Sequence, residues 1–417
     1  MIRNIELVIK KTDLILIAHN VNVPLKDHRR IEFLKRVKIL TTEFNGLLIL
    51  SFDHANTNST PSSKIKLIND KDLPVSILKI NTSLIQNQVI IKDIIRIVEP
   101  KLLIIDTPSH LLKFTSFLVS TKNYNSPKTL LFHQGFVTEL FGIRIRSKFK
   151  REVKIGWEQK LLKFYDKFYF NKIDYHICIS QPLVDYLKSI LPLNRHDDIF
   201  LSEYNANYIA ELLNVNLTSD QTGIIKNLIK SFEQYLVYSG SLDPNKRPDI
   251  AIETIRHLKK MKINRKLVIL GDGPLKSSLK RLAIKLDLKD DIVFLNQVTQ
   301  RMAIEIYQGS DGMIFPTLSE GFGLSALEAM YFNIPLIVYS NRTFVSLTKG
   351  KGMLLIPSLD PKDFAQGCAK ILKNTLFRAN MLKEAQHIVS KFTVETDEER
   401  MKNIIRIVKR ILLQSRN

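Results

Sequence analysis

The sequence predicts an α/β protein built from two doubly wound domains, and three observations indicate that class. The chain has 417 residues, which exceeds the roughly 100–200 residues of a typical single domain. Short β-branched runs alternate with amphipathic segments long enough to be helices, which is the pattern of crossover units on a parallel sheet. This pattern occurs twice, and a stretch without strand-like runs separates the two sets.

Short apolar runs rich in β-branched residues are the predicted strands of each half. In the first half they are Asp13–His19, Leu47–Phe52, Val75–Ile80, Leu102–Asp106, Thr129–His133 and Tyr175–Ser180. In the second half they are Tyr235–Ser239, Leu267–Leu270, Ile292–Leu295, Met313–Pro316, Leu336–Tyr339 and Met353–Pro357. The stretch between them, about residues 205–232, is typical of a polar loop with helix. We therefore expect an N-terminal Rossmann-like domain at residues 1–232, linker included, and a C-terminal one at residues 233–417.

The last segment, Glu395–Leu413, is predicted to be an amphipathic helix because its apolar residues recur at helical spacing. They are Met401, Ile404, Ile405, Ile407, Val408, Ile411 and Leu412. No strand-like run follows this segment. Such a helix needs an apolar surface to cover.

The composition is that of a globular protein, with 45% hydrophobic and 25% charged residues, which excludes disordered, collagen-like and disulfide-scaffold classes. The net charge of +21 is compatible with nucleic acid, an acidic membrane surface or an anionic substrate. A general Lys, Ile and Asn bias favours solvated charge instead. The two cysteines, Cys178 and Cys368, lie in apolar segments and are expected to be buried.

The first twenty residues place charges within every apolar run. We therefore expect neither a signal peptide nor a membrane span of about 20 apolar residues. The expectation is a soluble or peripheral protein of the cytoplasm.

Glycine placement points to a ligand site in the second domain. The chain has only 15 glycines, and glycine persists where a positive φ or a close backbone approach is needed. Several follow predicted strands of the second half: Gly240, Gly271, Gly273, Gly321 and Gly323. In open α/β sheets, ligands bind at the carboxyl ends of the strands. These glycines therefore favour a phosphorylated small molecule there.

The stretch Phe315–Met330 reads as strand, glycine loop and helix. A helix that starts near Gly323 points its first amides at a phosphate site; these amides belong to Phe322, Gly323 and Leu324. Glu320 lies in the loop and Glu328 inside the helix. Because carboxylates accept hydrogen bonds from hydroxyls but repel phosphate, we expect both to face a sugar or a ribose.

Three motifs carry a family resemblance: EGFGLSALEAM, GSLDPNKRPDIAIETI and ILGDGP. Together they closely resemble the retaining glycosyltransferases of family 4, also described as glycosyl transferases group 1. The likeness is continuous over about Leu236–Asn374. It implies the GT-B fold, with two Rossmann-like domains facing each other across a cleft and the C-terminal helix returning to the N-terminal domain. It also implies acceptor binding in the first domain, donor binding in the second, and no cofactor or metal.

The resemblance also implies roles for individual residues. Glu320 would lie against the transferred sugar, and Glu328 would bind the ribose hydroxyls. Gly240 and Lys246 match the glycine and the lysine that bind the donor diphosphate, where a cation neutralises the charge of the leaving group.

Some positions depart from the family pattern. Ser241 stands where the family usually has arginine, and Arg247 could partly compensate. Gly271 and Gly273 of ILGDGP would form a tight turn near the nucleotide. Asn296 replaces the usual glycine before the base-contacting loop, Gln297–Val298.

In the first domain, His133 ends a predicted strand and is expected to face the cleft between the domains. It resembles the family's histidine that approaches the donor sugar. The glycine-rich loop that many members carry after the first strand is replaced by HNVNVPLKDHRR, so acceptor contacts are not transferred.

The segment Arg144–Lys172 combines dense Lys and Arg with aromatic residues, a composition that suits an anionic membrane interface. The membrane-facing candidates are Lys148, Lys150, Arg151 and Lys154. The alternative is that Trp157–Ile173 is an ordinary core helix with a basic loop ahead of it. No nucleic-acid-binding motif accompanies the segment, so we expect no nucleic-acid partner.

These features predict an enzyme that moves a hexose from a UDP- or GDP-sugar to a saccharide acceptor with retention of configuration. The acceptor is expected to be lipid-linked and to belong to cell-surface polysaccharide synthesis. One alternative is a sugar-nucleotide 2-epimerase or a phosphorylase on the same fold. Another is an inactive basic protein that binds membrane or nucleic acid. Asp70-Lys71-Asp72, which matches a metal–diphosphate motif of another glycosyltransferase fold, is interpreted as surface.

Overall fold

A computed structural model describes residues 13–19, 28–44, 47–52, 65–69, 76–80, 93–105, 127–133, 157–203, 206–213, 216–231, 234–296, 298–393 and 397–414. The described residues fall into two compact units. The first is drawn from Met1–Thr138, Gly156–Glu203 and Glu398–Asn417, and the described part of the second lies in Tyr204–Asp397.

The stretch between the two strand sets groups with the second unit. The amide of Ala206 donates to the carbonyl of Phe392 at 2.7 Å, and Gln221 Nε2 donates to Thr299 Oγ1 at 3.5 Å. These contacts tie residues 206–231 to later parts of the chain, whereas the sequence analysis assigned this stretch to the N-terminal domain.

The first unit contains an eight-stranded sheet of order β3-β4-β2-β1-β5-β6-β7-β8. Its strands are β1 (Leu14–His19), β2 (Leu47–Phe52), β3 (Ile65–Asn69), β4 (Ser76–Ile80), β5 (Leu102–Ile105), β6 (Lys128–His133), β7 (Tyr175–Cys178) and β8 (Ile199–Leu201). All neighbours pair in parallel except β3, which runs antiparallel to β4. The apolar runs form strands because helices cover the sheet and bury their side chains.

The helices that accompany this sheet include α1 (His28–Glu43), α2 (Trp157–Phe170) and α3 (Gln181–Ile190). Residues 93–98 are also helical, and Leu193–Asp198 form a 3₁₀ turn. The long helix near the end of the chain, labelled α13 (Asp397–Gln414) below, completes the same core. Five of its apolar residues pack with β1, β5 and β6: Met401, Ile404, Ile407, Val408 and Ile411. The expected return of the C-terminal helix to the first domain is confirmed.

The second unit contains a six-stranded parallel sheet of order β11-β10-β9-β12-β13-β14. Its strands are β9 (Tyr235–Ser239), β10 (Lys266–Leu270), β11 (Ile292–Leu295), β12 (Gly312–Phe315), β13 (Leu336–Tyr339) and β14 (Leu354–Ile356). This is the strand order of a Rossmann sheet. Successive strands are added on one side of the first strand and then, from the fourth strand onward, on its other side, so the order reverses between the first and fourth strands. In this unit the reversal lies between β9 and β12.

Among the described residues of the second unit, two helices precede β9, one helix follows each of β9 to β13, and two follow β14. They are α4 (Asn207–Leu213), α5 (Ser219–Ser231), α6 (Pro248–Lys260), α7 (Lys276–Lys285), α8 (Gln300–Gln308), α9 (Leu324–Tyr331), α10 (Arg342–Thr348), α11 (Pro361–Lys373) and α12 (Thr375–Lys391). Local signals fix several starts: Asp360 caps α11 ahead of Pro361, and Asn374 caps α12. Asn, Asp and proline are the residues that favour such starts.

Each predicted strand coincides with an observed strand to within two residues, and the two doubly wound sheets confirm the α/β class. The structure adds β3 and β8, which the sequence analysis did not predict. Cys178 and Cys368 are buried free thiols as expected, and burial raises the pKa of the Cys368 thiol to about 12. None of the described helices has the length and apolar character needed to cross a membrane.

Candidate functional site

The candidate site lies at the carboxyl ends of β9 and β12, where the strand order of the second sheet reverses. The chain leaves β9 through a loop from Gly240 to Arg247 and leaves β12 through a loop from Pro316 to Gly323. In open α/β sheets, ligands bind outside the carboxyl ends of the strands at such a reversal point. Most of the residues predicted to bind a donor occupy these loops.

Lys246 and Glu320 meet at this edge although they lie 74 positions apart. Lys246 Nζ donates to Glu320 Oε1, and the two side chains are 20% and 11% exposed. The ammonium also lies 5.5 Å from the centroid of the Phe315 ring. A cation and a carboxylate are thus held together, largely out of water but reachable from it.

Asn245 fixes the loop that carries Glu320. Its Nδ2 donates to the Ser319 carbonyl at 2.9 Å, and its Oδ1 accepts from the Ser319 amide at 3.1 Å. Asn245 is itself positioned because its amide donates to Asp243 Oδ1 at 2.8 Å. The β9 loop and the β12 loop therefore form one hydrogen-bonded unit.

Two residues at the start of α10 hold the same loop from the other side. Asn341 Nδ2 donates to the Thr317 carbonyl at 3.1 Å, and Thr343 Oγ1 donates to the Glu320 carbonyl at 2.5 Å. The sequence analysis did not select Asn245, Asn341 or Thr343. For Asn341 a signal was present, since an asparagine shortly after a predicted strand is a common helix-start residue.

Gly323 shapes the amino end of α9. It precedes Leu324 as the N-cap, with φ at 92°, and a Cβ there would lie 2.7 Å from the Phe344 ring. The first amides of a helix have no acceptor within the helix and carry its positive dipole end. Phe322, by contrast, turns its side chain inward, 3% exposed, with its ring edge against Phe392.

The glycines after β9 and β10 allow two backbones to touch. A Cβ on Gly271 would lie 2.0 Å from the Gly240 carbonyl oxygen, and one on Gly273 would lie 2.7 Å from the Leu242 carbonyl oxygen. The Gly240 amide donates to Leu270 and the Leu242 amide donates to Asp272, both at 3.0 Å. Only glycine fits this approach, so the motif ILGDGP supports the β9 loop.

Glu328 lies inside α9 and is 5% exposed. Gln300 Nε2, at the start of α8, donates to Glu328 Oε1 at 3.4 Å. On the same helix, the Tyr307 hydroxyl shares a hydrogen bond of 2.6 Å with Ser239 Oγ. Burial raises the pKa of Tyr307, and the nearby charge of Glu328 raises it further. The Glu328 carboxylate thus lies near the buried hydrogen bond between Tyr307 and Ser239.

Ser241 and Arg247 are both engaged with neighbouring carboxylates. Ser241 Oγ donates to Asp243 Oδ2 at 2.6 Å. The Arg247 guanidinium makes a two-pronged contact with Asp249, at 2.7 Å from Nη2 and 3.0 Å from Nε. Arg247 is thus paired two residues along its own chain, and Lys246 is the cation that reaches Glu320.

Asn296 lies in the loop that follows β11. Lys276 Nζ donates to Asn296 Oδ1 at 2.5 Å and to Asp272 Oδ2 at 3.3 Å. Val298 follows this link, while Gln297 lies outside the described residues. The expected base-binding region is thereby tied to the turn after β10.

His133 ends β6 as predicted, but it is 2% exposed and enclosed within the first unit. Its Nε2 lies 2.9 Å from Nδ1 of His176 on β7, and its ring packs edge-on to Phe170 with centroids 4.9 Å apart. Burial lowers the pKa of His133 to about 3, so the imidazole is neutral. The ring contacts α2 rather than an open face, because Phe170 at the end of that helix covers it.

Lys148, Lys150, Arg151 and Lys154 lie outside the described residues, as do Asp70-Lys71-Asp72. Their roles stay predictions.

Comparison with known proteins supports the sequence resemblance. Residues 220–388 match the model of the family described as glycosyl transferases group 1. An uncharacterised glycosyltransferase of Methanocaldococcus jannaschii, MJ1607, is 25% identical over 182 residues, which are 43% of this chain and 46% of that protein.

A second relative comes from Campylobacter jejuni. It is the GalNAc-α-(1→4)-GalNAc-α-(1→3)-diNAcBac-PP-undecaprenol α-1,4-N-acetyl-D-galactosaminyltransferase, 26% identical over 234 residues, 55% of this chain and 62% of that protein. In both relatives the chain spans less than two thirds of the relative's own length.

Among solved structures, a trehalose-6-phosphate protein from E. coli bound with UDP-2-fluoro glucose superposes with a TM-score of 0.67. It is 12% identical and the match covers 96% of this chain and 98% of that one. At this identity the likeness shows the fold, and the GT-B fold expected from the sequence is confirmed. The resemblance to group 1 glycosyl transferases is confirmed for the second half of the chain.

Proposed function

We propose that this chain, whose residues 220–388 match the group 1 glycosyl transferases, moves a hexose from a nucleotide-sugar to a saccharide acceptor with retention of configuration. The observation that carries the proposal is the contact between Lys246 and Glu320 at the reversal point of the second sheet. It joins a cation and a hydroxyl-binding carboxylate beside the amino end of α9. This set suits a donor that is a phosphate ester at one end and a sugar at the other.

Each group has a task that its chemistry fits. As the bond from sugar to diphosphate breaks, negative charge grows on the leaving phosphate. Lys246 and the first amides of α9 are preorganised to stabilise that charge. Lys246 has three N–H donors, so it can bind the phosphate while it keeps Glu320 in place. Glu320 then accepts hydrogen bonds from hydroxyls of the transferred sugar.

Glu328 is proposed to bind the ribose. It lies farther along α9 than the phosphate-binding amides, and Gln300 holds its carboxylate from the side. A carboxylate accepts two hydroxyl donors readily. A base would then extend toward the loop after β11, where Asn296 and Val298 lie.

The donor is proposed to be a UDP- or GDP-sugar, since the trehalose-6-phosphate protein of the same fold is described with a UDP-sugar derivative. The acceptor is proposed to be a saccharide, in particular a lipid-linked one of surface polysaccharide synthesis. Support comes from the Campylobacter relative, whose name describes a polyprenol-linked sugar acceptor. No metal ion is needed in this proposal, because Lys246 and the amides supply the positive charge.

The test is a panel of UDP- and GDP-sugars incubated with the protein, with nucleoside diphosphate release followed in a coupled assay. We expect release with one base and one sugar, accelerated by a saccharide acceptor and unaffected by EDTA. NMR of the product should show the donor's anomeric configuration. Release restored only by Mg²⁺ or Mn²⁺ would overturn metal independence, and an inverted product would overturn retention.

The same assay distinguishes a glycosyltransferase from the alternative activities. Conversion of the donor sugar without any acceptor would indicate an epimerase, and release with inorganic phosphate as acceptor would indicate a phosphorylase. No turnover with any donor, in a protein that still binds nucleotide, would indicate an inactive site.

A further inference from the structure

The outer face of α2 presents two exposed phenylalanines. Phe164 is 69% exposed and Phe168 is 49% exposed, and residues four apart on a helix lie on the same face. No other phenylalanine whose side chain the structure describes is as exposed. Large aromatic side chains are ordinarily buried in a soluble domain. The pair therefore forms an exposed apolar surface that a binding partner could cover.

Lysines surround the pair. Lys163 and Lys167 are exposed and each directly precedes one of the phenylalanines, while Lys172 Nζ lies 4.3 Å from the centroid of the Phe168 ring. The one acidic residue in positions 163–172 is Asp166. It is 3% exposed and accepts a hydrogen bond from the Tyr186 hydroxyl. This stretch therefore presents positive charge alone to its surroundings.

The inner face of α2 is committed to the first unit. Phe170 packs edge-on to His133 and to His176, with ring centroids 4.9 and 6.1 Å away. Asp166 is held by Tyr186 of α3. Because these contacts fix the rotation of the helix, Phe164 and Phe168 cannot turn inward. Their exposure is a consequence of the packing.

We propose that this outer face, defined by Lys163, Phe164, Lys167, Phe168 and Lys172, docks on an anionic lipid bilayer. The two phenyl rings would enter the boundary between headgroups and acyl chains, and the ammonium groups would contact lipid phosphates. Interfacial helices combine these two kinds of side chain, and each lysine near an anionic surface adds to the attraction.

A bilayer suits the dimensions of this face better than a protein does. The eight helical residues Lys163–Phe170 span ~12 Å. A stripe of that length, one side chain wide, covers far less area than the ~800 Å² that each partner buries in a stable protein interface. A bilayer needs only a shallow apolar wedge and phosphates for the lysines. The proposal does not rest on glycosyl transfer, and its test uses neither donor nor acceptor.

The test is flotation of the full chain with vesicles of phosphatidylglycerol and phosphatidylcholine in equal parts, compared with phosphatidylcholine alone. We expect binding to the anionic vesicles that weakens as salt rises, since screening shortens the electrostatic reach. Phe164→Ser with Phe168→Ser should lower the partition coefficient at least tenfold. Lys163→Gln with Lys167→Gln should lower it and flatten its salt dependence.

The chain has a single tryptophan, Trp157, which begins α2 and provides a second readout. Its fluorescence should shift to the blue when the wild type meets anionic vesicles, and not when the phenylalanine variant does. Circular dichroism of each variant establishes that it is folded.

Matched control variants lie on α7 of the second unit. Ile284 is 62% exposed, and Lys280 and Lys285 are exposed beside it. Ile284→Ser, and Lys280→Gln with Lys285→Gln, should leave flotation unchanged. Equal loss from the α7 lysine variant would mean that only total charge matters, and would overturn the assignment to α2.

Three other results would also overturn it. The first is no flotation of the wild type at low salt, and the second is undiminished flotation of the phenylalanine variant. The third is a molar mass of the phenylalanine variant that is lower than the molar mass of the wild type in light scattering. The last would identify a second copy of the chain as the occupant.

Discussion

The two sheets end in polar residues at comparable places, yet their surroundings differ. In the second unit, Lys246 and Glu320 follow β9 and β12 and keep part of their surface open. In the first unit, His133 ends β6 and is closed under Phe170. A polar residue at a strand end thus becomes available for chemistry only where the neighbouring helix leaves it uncovered. In the second unit Lys246 and Glu320 stay 20% and 11% exposed, whereas in the first unit Phe170 of α2 packs on His133, which is 2% exposed.

The largest effect is expected from removing either member of the partly exposed pair, Lys246 and Glu320. Lys246→Ala and Glu320→Gln should each reduce turnover by at least ~100-fold, since loss of one preorganised electrostatic contact costs about 2.7–4 kcal/mol of transition-state stabilisation. Steady-state kinetics with the donor found in the panel measures this. Lys260→Ala, at the far end of α6, is the control and should turn over normally. Near-normal turnover by Lys246→Ala or Glu320→Gln would remove these residues from the site.

The second prediction concerns the backbone contact beneath the open edge. Gly271→Ala should lower the free energy of unfolding by about 2 kcal/mol or more, because strain and a clash with the Gly240 carbonyl combine. Gly223→Ala is the matched control, since a Cβ there meets nothing within 4 Å. Inside a helix, that change should stabilise by ~0.5–1 kcal/mol. Thermal melting of both variants checks the opposite signs, and equal melting temperatures would contradict them.

The third prediction concerns the buried pair His133 and His176 of the first unit. Burial lowers the pKa of His133 to about 3 and also lowers the pKa of His176 well below its ordinary value. Below pH 6.5 the unfolded chain therefore binds more protons than the folded chain does. Stability from the neutral pair is complete above pH 6.5 and is lost as pH falls toward 3. As pH falls from 6.5 to 5.5, each histidine should lower the free energy of unfolding by about 1 kcal/mol.

Denaturant unfolding at several pH values measures this slope. A variant with both His133→Gln and His176→Gln is the control. Its absolute stability is expected to differ, but its dependence on pH in this window should be flatter. An unchanged slope would mean that the two imidazoles do not titrate on unfolding.

The smallest effect is expected at Glu328. Glu328→Gln keeps the shape of the side chain but weakens its hydrogen bonds, since bonds to a charged group are worth about 1.5–3 kcal/mol. We expect the affinity for the nucleoside diphosphate to fall about tenfold, with KM rising more than kcat falls. Calorimetric titration gives the affinity. The same loss with the 2′,3′-dideoxynucleotide would show that the carboxylate does not act through the ribose hydroxyls.

Most of the fold was predictable because it depends on local patterns. The apolar β-branched runs correspond to strands, and the apolar spacing of α13 predicted its covering role. The exceptions are β3 and β8. The first, IKLIN, is an antiparallel edge strand, and the second has only three residues. An edge strand has one hydrogen-bonded neighbour and a weaker apolar pattern, so its sequence differs little from that of a loop.

The site was predictable only in part. Residue type and motif spacing selected Lys246, Glu320 and the glycines, whose requirements are local. They did not indicate that Asn245 clamps Ser319, that Asp249 engages Arg247, or that Phe170 covers His133. Each of these depends on a partner that folding brings close, and in the sequence such an asparagine or phenylalanine resembles many others.

The position of α13 has a consequence for biosynthesis. All strands of the first sheet are made before residue 202, but α13 completes its core, and residues 204–397 of the second unit are synthesised in between. While the ribosome makes that second unit, the part of the first sheet's apolar side that α13 covers stays exposed. The core of the first unit can therefore be completed only after the second unit has been made.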